Sequence, residues 1–177
     1  METNYLTNLK NSIIVAFATM VITILLVVPA SYSIYRMEYY GKNFFYYLIL
    51  ATFIFPTMLL LVPVYQLMNS FSLIDNLWSL IIINVTFAAP FATWLMQGFF
   101  EAVPIEIEEA AEVDGASKFR TVMQVLLPLI APGIATIAIY SFITAWTEYM
   151  FASVLIMDDM SITLPFGLSD VMGQYNI

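Results

Sequence analysis

Side chains that could do chemistry are few in this 177-residue sequence. It contains no His and no Cys. That removes the usual general base, the commonest metal ligand, thiol nucleophiles and Cys-based metal sites, and it leaves the redox compartment undetermined. The five aspartates, Asp75, Asp114, Asp158, Asp159 and Asp170, all fall in segments that read as loops, so no membrane-embedded aspartate pair can form. There is no G-x-x-x-x-G-K-[ST] phosphate loop, since the one Gly-Lys pair, Gly41-Lys42, is followed by Asn43. Two acidic features remain. One is a cluster of carboxylates, Glu101, Glu106, Glu108, Glu109, Glu112 and Asp114. The other is Glu148, alone in an apolar stretch. The sequence therefore has the means for ion pairing and docking, but not for bond chemistry of its own, a metal site or a cofactor.

The elements that would position these groups are membrane spans. Hydrophobic residues make up 62% of the chain and charged residues 10%, against about 25% charged in an ordinary soluble domain. With 5 Lys+Arg against 13 Asp+Glu, the basic surface of a nucleic-acid binder is missing. A helix crossing about 30 Å of hydrocarbon needs roughly 20 apolar residues. Stretches at about 12–35, 44–68, 77–100 and 129–157 qualify. This predicts an all-α polytopic bundle of about four transmembrane helices, read as a single domain over 1–177. The first stretch is too long for a signal-peptide core and is read as a retained span.

Arg36 and Lys42 lie between the first two spans, and Lys118 and Arg120 between the last two. The positive-inside tendency then makes 36–43 and 101–127 cytoplasmic, and 69–76 and 158–177 external, with Lys10 the dissenting charge. Pro56 and Pro63 read either as a kink satisfied by neighbouring helices or as a broken helix lining a pathway. Glu148 lies about 20 residues, hence roughly 30 Å, beyond Pro128, which places it near the outer surface. Asn84, Thr86 and Gln97, on the third span, could line a path or hydrogen-bond between helices.

The 101–127 link is the one long polar segment. Pro104 suits the first helical position and Gly115 a left-handed stop, so a short helix is expected from about Pro104 to Asp114. On its wheel Ile107, Ala110 and Ala111 share one face, and Glu108, Glu109 and Glu112 the other. Glu108 and Glu112 are like charges at i,i+4, which costs a few tenths of a kcal/mol unless a counter-charge is supplied. A second helical pattern follows (Phe119, Val122, Met123, Leu126) and ends at Leu127-Pro128. The product is an acidic helix–glycine–helix elbow. It reads either as a docking element or as an amphipathic elbow on the membrane surface, although an anionic inner leaflet disfavours the latter.

At Glu109-Ala110-Ala111, Gly115, Val125, Leu127 and Pro128 the sequence resembles the EAA loop of ABC importer permeases. The run EEAAEVDGASKFRTVMQVLLPLIAPGI is similar to the carbohydrate-uptake branch, which includes maltose-type and glycerol-phosphate-type importers. The segments LTNLKNSIIVAF, FPTMLLLVPVYQLMNSFSLIDN, SFITAWTEYMFASVLI and TLPFGLSDVMGQY extend the likeness over nearly the whole chain. Val125 and Thr147 depart mildly from the pattern. Members usually have six spans, so the resemblance makes this chain spans two to five, incomplete at both ends or shortened.

The resemblance implies a permease subunit in a prokaryotic plasma (inner) membrane that forms a sugar pathway without hydrolysing ATP. Its implied partners are cytoplasmic ABC ATPase subunits, a second permease subunit (identical or homologous), an extracytoplasmic solute-binding protein and lipid. It also implies that Glu109, Ala110, Ala111, Asp114 and Gly115 contact the ATPase, with Pro104, Leu127 and Pro128 shaping the elbow. The candidate path residues stay Asn84, Thr86, Gln97 and Glu148. Rival readings are an ABC permease for another substrate such as an amino acid, a secondary transporter or channel, and an intramembrane enzyme. Any Cβ at a left-handed Gly115 should cost about 1 kcal/mol and misaim the second arm. Gly115→Val is therefore expected to lose uptake and weaken ATPase binding. Normal uptake by that variant would argue against the elbow.

Overall fold

With no charge between Lys10 and Arg36, the first apolar block forms one helix, α1, Tyr5–Arg36, with Pro29 inside it. The computed structural model describes the backbone of residues 5–174 and side chains to 169. The ends of the 1–177 domain and of the 158–177 tail lie outside the described residues. The third apolar block forms α4, Leu77–Glu101, which starts where the Asn76 side chain accepts the Trp78 N–H. Both helices are long and apolar enough to cross a membrane.

Two other candidate spans are broken. The 44–68 stretch is α2, Lys42–Phe53, then a 3₁₀ turn, Thr57–Leu60, and α3, Leu61–Ser70. The two halves meet at 91° around Pro56, so neither alone reaches across about 30 Å. Pro63 falls in the first turn of α3, where a missing N–H costs nothing. The 129–157 stretch is not one helix either. Its long helix, α8, covers Ala131–Trp146, and a turn then leads to the single-turn α9, Ala152–Leu155. Before α8 come α5, Ile105–Val113, then α6, Lys118–Thr121, a π-helical turn over Val122–Leu126, and the short α7, Leu127–Leu129. A final helix, α10, spans Leu164–Gln174. All regular structure among the described residues is helical, as the composition requires.

α1, α4 and α8 pack on one another, each through an i+4 ridge. On α1 the ridge residues are Val15, Thr19, Thr23, Val27 and Ser31. On α4 they are Leu80, Asn84, Ala88, Ala92, Met96 and Phe100. On α8 they are Gly133, Ile137, Ser141 and Ala145. Small residues dominate the middle of these ridges, which brings the backbones close without needing a hydrophobic driving force in lipid. Larger side chains form a core at each end. One is built on Met68, Leu80, Phe151 and Leu155, and the other on Met96, Phe100, Leu126 and Ile130.

The end of the bundle away from α5 is closed by backbone bonds. Asp75, at φ 59°, gives its N–H to the Leu155 carbonyl, while its carboxylate accepts the Met157 and Asp158 N–H groups. Asn11 Nδ2 donates to the Met160 and Ile162 carbonyls, and Ser12 Oγ accepts from Leu164 N at the start of α10.

Gly133 is the tighter of the two glycine positions on α4 and α8. A Cβ there would lie 2.5 Å from Phe99 Cγ and 2.9 Å from Phe99 Cβ, at the root of the side chain, where it cannot swing away. Gly133→Ala should therefore cost about 1–3 kcal/mol by overpacking. Gly98→Ala, which meets nothing within 4 Å, should be neutral or stabilising. Thermal unfolding in detergent distinguishes the two, and equal behaviour would contradict this packing.

Candidate functional site

The elbow forms where expected, with one residue of adjustment at its ends. Pro104 is the residue before α5 rather than its first, and Asp114 ends the helix. Gly115, at φ +89°, then takes the left-handed position. Ala116 N bonds the Ala111 carbonyl and Gly115 N the Glu112 carbonyl, both at 3.0 Å, the paired closure of a Schellman stop. Ser117 starts the second arm by accepting the Arg120 N–H. That arm does not end at Leu127-Pro128. It runs through Leu129 and bends by 72° into α8 at Ile130. The π turn inserts an extra residue per turn and rotates the buried face. Thr121, Leu126 and Ile130 point inward, while Phe119 and Met123 of the expected apolar stripe are exposed.

The faces of α5 also differ from the wheel. Glu108 is buried, Ala111 half-buried, and Ile107, Glu109 and Ala110 are exposed. The cause is Arg36. Its Nε lies 2.9 Å from Glu108 Oε1, and its Nη2 donates to the Phe100 carbonyl at 2.9 Å and to the Val103 carbonyl. The guanidinium also sits 6.0 Å from the centre of the Phe100 ring. The counter-charge that Glu108 needs therefore comes from the end of α1 within the same chain. Burial holds the Glu108 carboxyl above the usual carboxylate range even though Arg36 opposes that shift; Glu112 adds to it and Lys118 opposes it. The sequence carried a hint of this node, since Arg36 is the charge that ends a long uncharged run. Nothing local, however, paired it with a residue so far along the chain.

With Glu108 turned inward, α5 offers outward a surface of Glu109, Ala110 and Val113, flanked by Asp114, Gly115 and Phe119. Val113 is 87% exposed and Phe119 73% exposed, with acidic groups around them. Such a surface can dock into a groove with an apolar floor and a cationic rim.

The four candidate path residues are not brought together. Asn84 is buried and donates to the Leu80 carbonyl at 2.9 Å. Gln97 sits near the elbow end, accepting from Tyr46 Oη at 2.9 Å and donating to Glu101 at 2.7 Å. Glu148 lies in the turn after α8, where its carboxylate accepts the Phe151 and Ala152 N–H groups at 2.6 and 3.1 Å and caps α9. Thr86 alone of the four lines an open hollow of about 600 Å³ between the break in the second span, α4 and α8. Thr52, Thr57, Tyr140, Thr144 and Pro90 share its wall. Pro90 has no N–H, so the Thr86 carbonyl lacks its helical partner.

The chain matches the family model described as the binding-protein-dependent transport system inner membrane component over residues 19–169. A Streptomyces antibioticus protein, whose description as an ABC transporter permease is itself provisional, is 39% identical over 94% of this chain and 73% of its own length. The diacetylchitobiose uptake system permease protein of Streptomyces coelicolor is 33% identical, covering 90% of this chain and 53% of its own. The maltodextrin transport system permease protein of Bacillus subtilis is 34% identical, covering 98% and 62%. Among solved structures, a bacterial ABC transporter involved in the import of the acidic polysaccharide alginate superposes with a TM-score of 0.86 at 28% identity, covering 98% of this chain and 60% of that one. The chain thus spans between about half and three-quarters of the length of these relatives.

Because its folded pKa is raised, Glu108 favours the folded state when protonated. That contribution is complete below 4.5 and is lost as pH rises through the raised value. Glu108→Gln should therefore leave thermal stability at neutral pH unchanged or higher, and remove the gain that the parent shows on acidification toward 4.5. Arg36→Met strands Glu108 and removes the guanidinium bonds to the Phe100 and Val103 carbonyls, and should cost about 3 kcal/mol or more. If Glu108→Gln proved the more damaging of the two, this balance of forces would be wrong.

Proposed function

This chain belongs to the family of binding-protein-dependent transport system inner membrane components, and on that premise we propose that it is a pathway-forming part of an ATP-driven sugar importer. ATP is bound and hydrolysed by a partner subunit, and the elbow receives the motion. The observation that carries this reading is the outward surface of α5. Glu109, Ala110, Val113 and Asp114 stand clear of the bundle, and the Schellman stop at Gly115 fixes the angle between the two arms. Closure of the ATPase would push this elbow and rock the helices rooted beside it.

The orientation follows from charge. Arg36 and Val103 meet at the elbow end, where Lys42, Lys118 and Arg120 also belong by sequence, so that end faces the cytoplasm of a prokaryotic cell. The opposite end, held by Asp75 and Asn11, then faces outward and meets a solute-binding protein. A second permease subunit, identical or homologous, completes the pathway.

Sugar is favoured as cargo by two relatives named for diacetylchitobiose and maltodextrin uptake. The hollow beside the broken second span has chemistry that suits a sugar, with threonine and tyrosine hydroxyls set among Phe53, Phe55 and Phe87. Of the path candidates, Thr86 is kept because it lines the hollow, with its hydroxyl oxygen still able to accept while it donates to the Ile82 carbonyl. Asn84, Gln97 and Glu148 lie outside that lining and are bonded to a helix carbonyl, to Tyr46 and Glu101, and to the N–H groups of α9.

The chain has no native cysteine, so Ala110→Cys provides a single defined thiol. Because Ala110 is exposed and Ala111 half-buried, cross-linking to the ATPase subunit should be stronger from Ala110→Cys than from Ala111→Cys. Uptake should follow ATP rather than an ion gradient. A transporting complex that gives no cross-link from either position would overturn the docking assignment.

A further inference from the structure

The elbow has two roots, and they differ mechanically. On one side α5 joins α4 through the short Ala102–Pro104 link, and the Arg36 guanidinium binds three elements there. It is the last residue of α1, it holds the carbonyl of Phe100 in the last turn of α4 and that of Val103 in the link, and it faces Glu108 of α5. On the other side the arm reaches α8 through the π turn at Val122–Leu126, where regular i→i+4 bonding is interrupted, and then through the 72° bend at Ile130.

We propose that Arg36 is a positioning residue for coupling: its guanidinium clamps the Glu108 side of α5 onto the ends of α1 and α4, so that a push on the elbow reaches those two helices, and α8 packed against them, through the clamp rather than through the compliant joint at the π turn. The assignment rests on the docking reading of α5 and goes beyond it by naming what carries the motion inward. Glu108 is turned away from the docking surface, so its ion pair is made within the chain. A planar fork suits the site because one group must serve a carboxylate and two carbonyls at once, which a lysine ammonium on a flexible stem does poorly. Without the clamp, α5 would hold to its inner root only through residues 102–104, and part of each push would be spent in rotating α5 on that link.

The test uses the full-length permease assembled with its ATPase and binding protein in proteoliposomes, and reads sugar transported per ATP hydrolysed. Arg36→Met and Glu108→Ala should each lower that ratio by about tenfold, the scale of one lost set of charge-assisted bonds. ATPase subunits should still co-purify, and the double variant should be no worse than the poorer single. Arg36→Lys should recover only part of the loss. An unchanged ratio in Arg36→Met overturns the proposal. Loss of ATPase subunits from both single variants also overturns it, by assigning the pair to assembly. Should Arg36→Met fail to accumulate, Glu108→Ala, which alters no span, tests the clamp through the same ratio, and an unchanged value there overturns the proposal equally. Failure of the parent complex to hold an ATPase subunit would overturn the docking reading itself, a result distinct from the others.

Discussion

A single guanidinium closes the elbow end of the bundle, because three helix ends meet there with more acceptors than donors. α4 stops at Glu101 and leaves carbonyls without helical partners, as every helix terminus does. The next segment brings a carboxylate, Glu108, back against the same spot. Arg36 sits at the end of α1, where a cation also complements the helix dipole, and it answers the carbonyls of Phe100 and Val103 and the charge of Glu108. The direction in which α5 faces follows from this. With Glu108 held inward, 100° per residue puts Glu109, Ala110 and Val113 on the outside. A docking surface is thereby created by a contact that takes no part in docking.

Away from that end the packing is set by closeness. The ridges of α1, α4 and α8 carry Thr, Ser, Ala and Gly at i+4 spacing, and Gly133 allows α8 to lie against Phe99 with no room for a methyl group. Tight contact among three helices leaves the second span outside the triad. Its break at Pro56 bends the chain by 91° instead of continuing the helix, and a hollow opens between it and α4 and α8. Firm and yielding regions are therefore separated in space. The triad is close-packed, while the breaks at Pro56, Ile130 and the π turn lie around it, which is the arrangement a gate of rocking helices requires.

The sequence by itself determined the class of the molecule and the existence of the elbow, because those properties are local. Long uncharged apolar blocks must form helices in lipid, since no water is there to satisfy the backbone. Pro104, Gly115 and the acidic residues between them act within a few bonds of one another, so the start, the stop and the left-handed residue were legible in order. The EAA spacing was legible for the same reason, and it matched the family that comparison then established. One departure from the pattern was local: the 129–157 stretch is apolar but for Glu148, and its helix ends at Trp146, where Glu148 turns to cap α9. The others came through long-range partners.

What only the tertiary structure decided is which face of each element points inward. An apolar wheel in a membrane protein does not distinguish lipid from neighbour, so hydrophobic periodicity lost its usual meaning on α1, α4 and α8, and the buried ridges were marked by small and polar residues instead. On α5 the wheel assigned Glu108 to the outside with Glu109 and Glu112, because charge normally seeks water. The fold reversed that for Glu108 alone by supplying Arg36 from another helix. The π turn likewise kept Leu126 of the expected stripe buried but replaced Phe119 and Met123 by Thr121 on the buried face of the second arm. Spacing along a chain fixes what a residue can do within one or two helical turns. The placement of a charge from α1 beside α5 is fixed by how three helices pack, and that information is shared among all the residues of their interface.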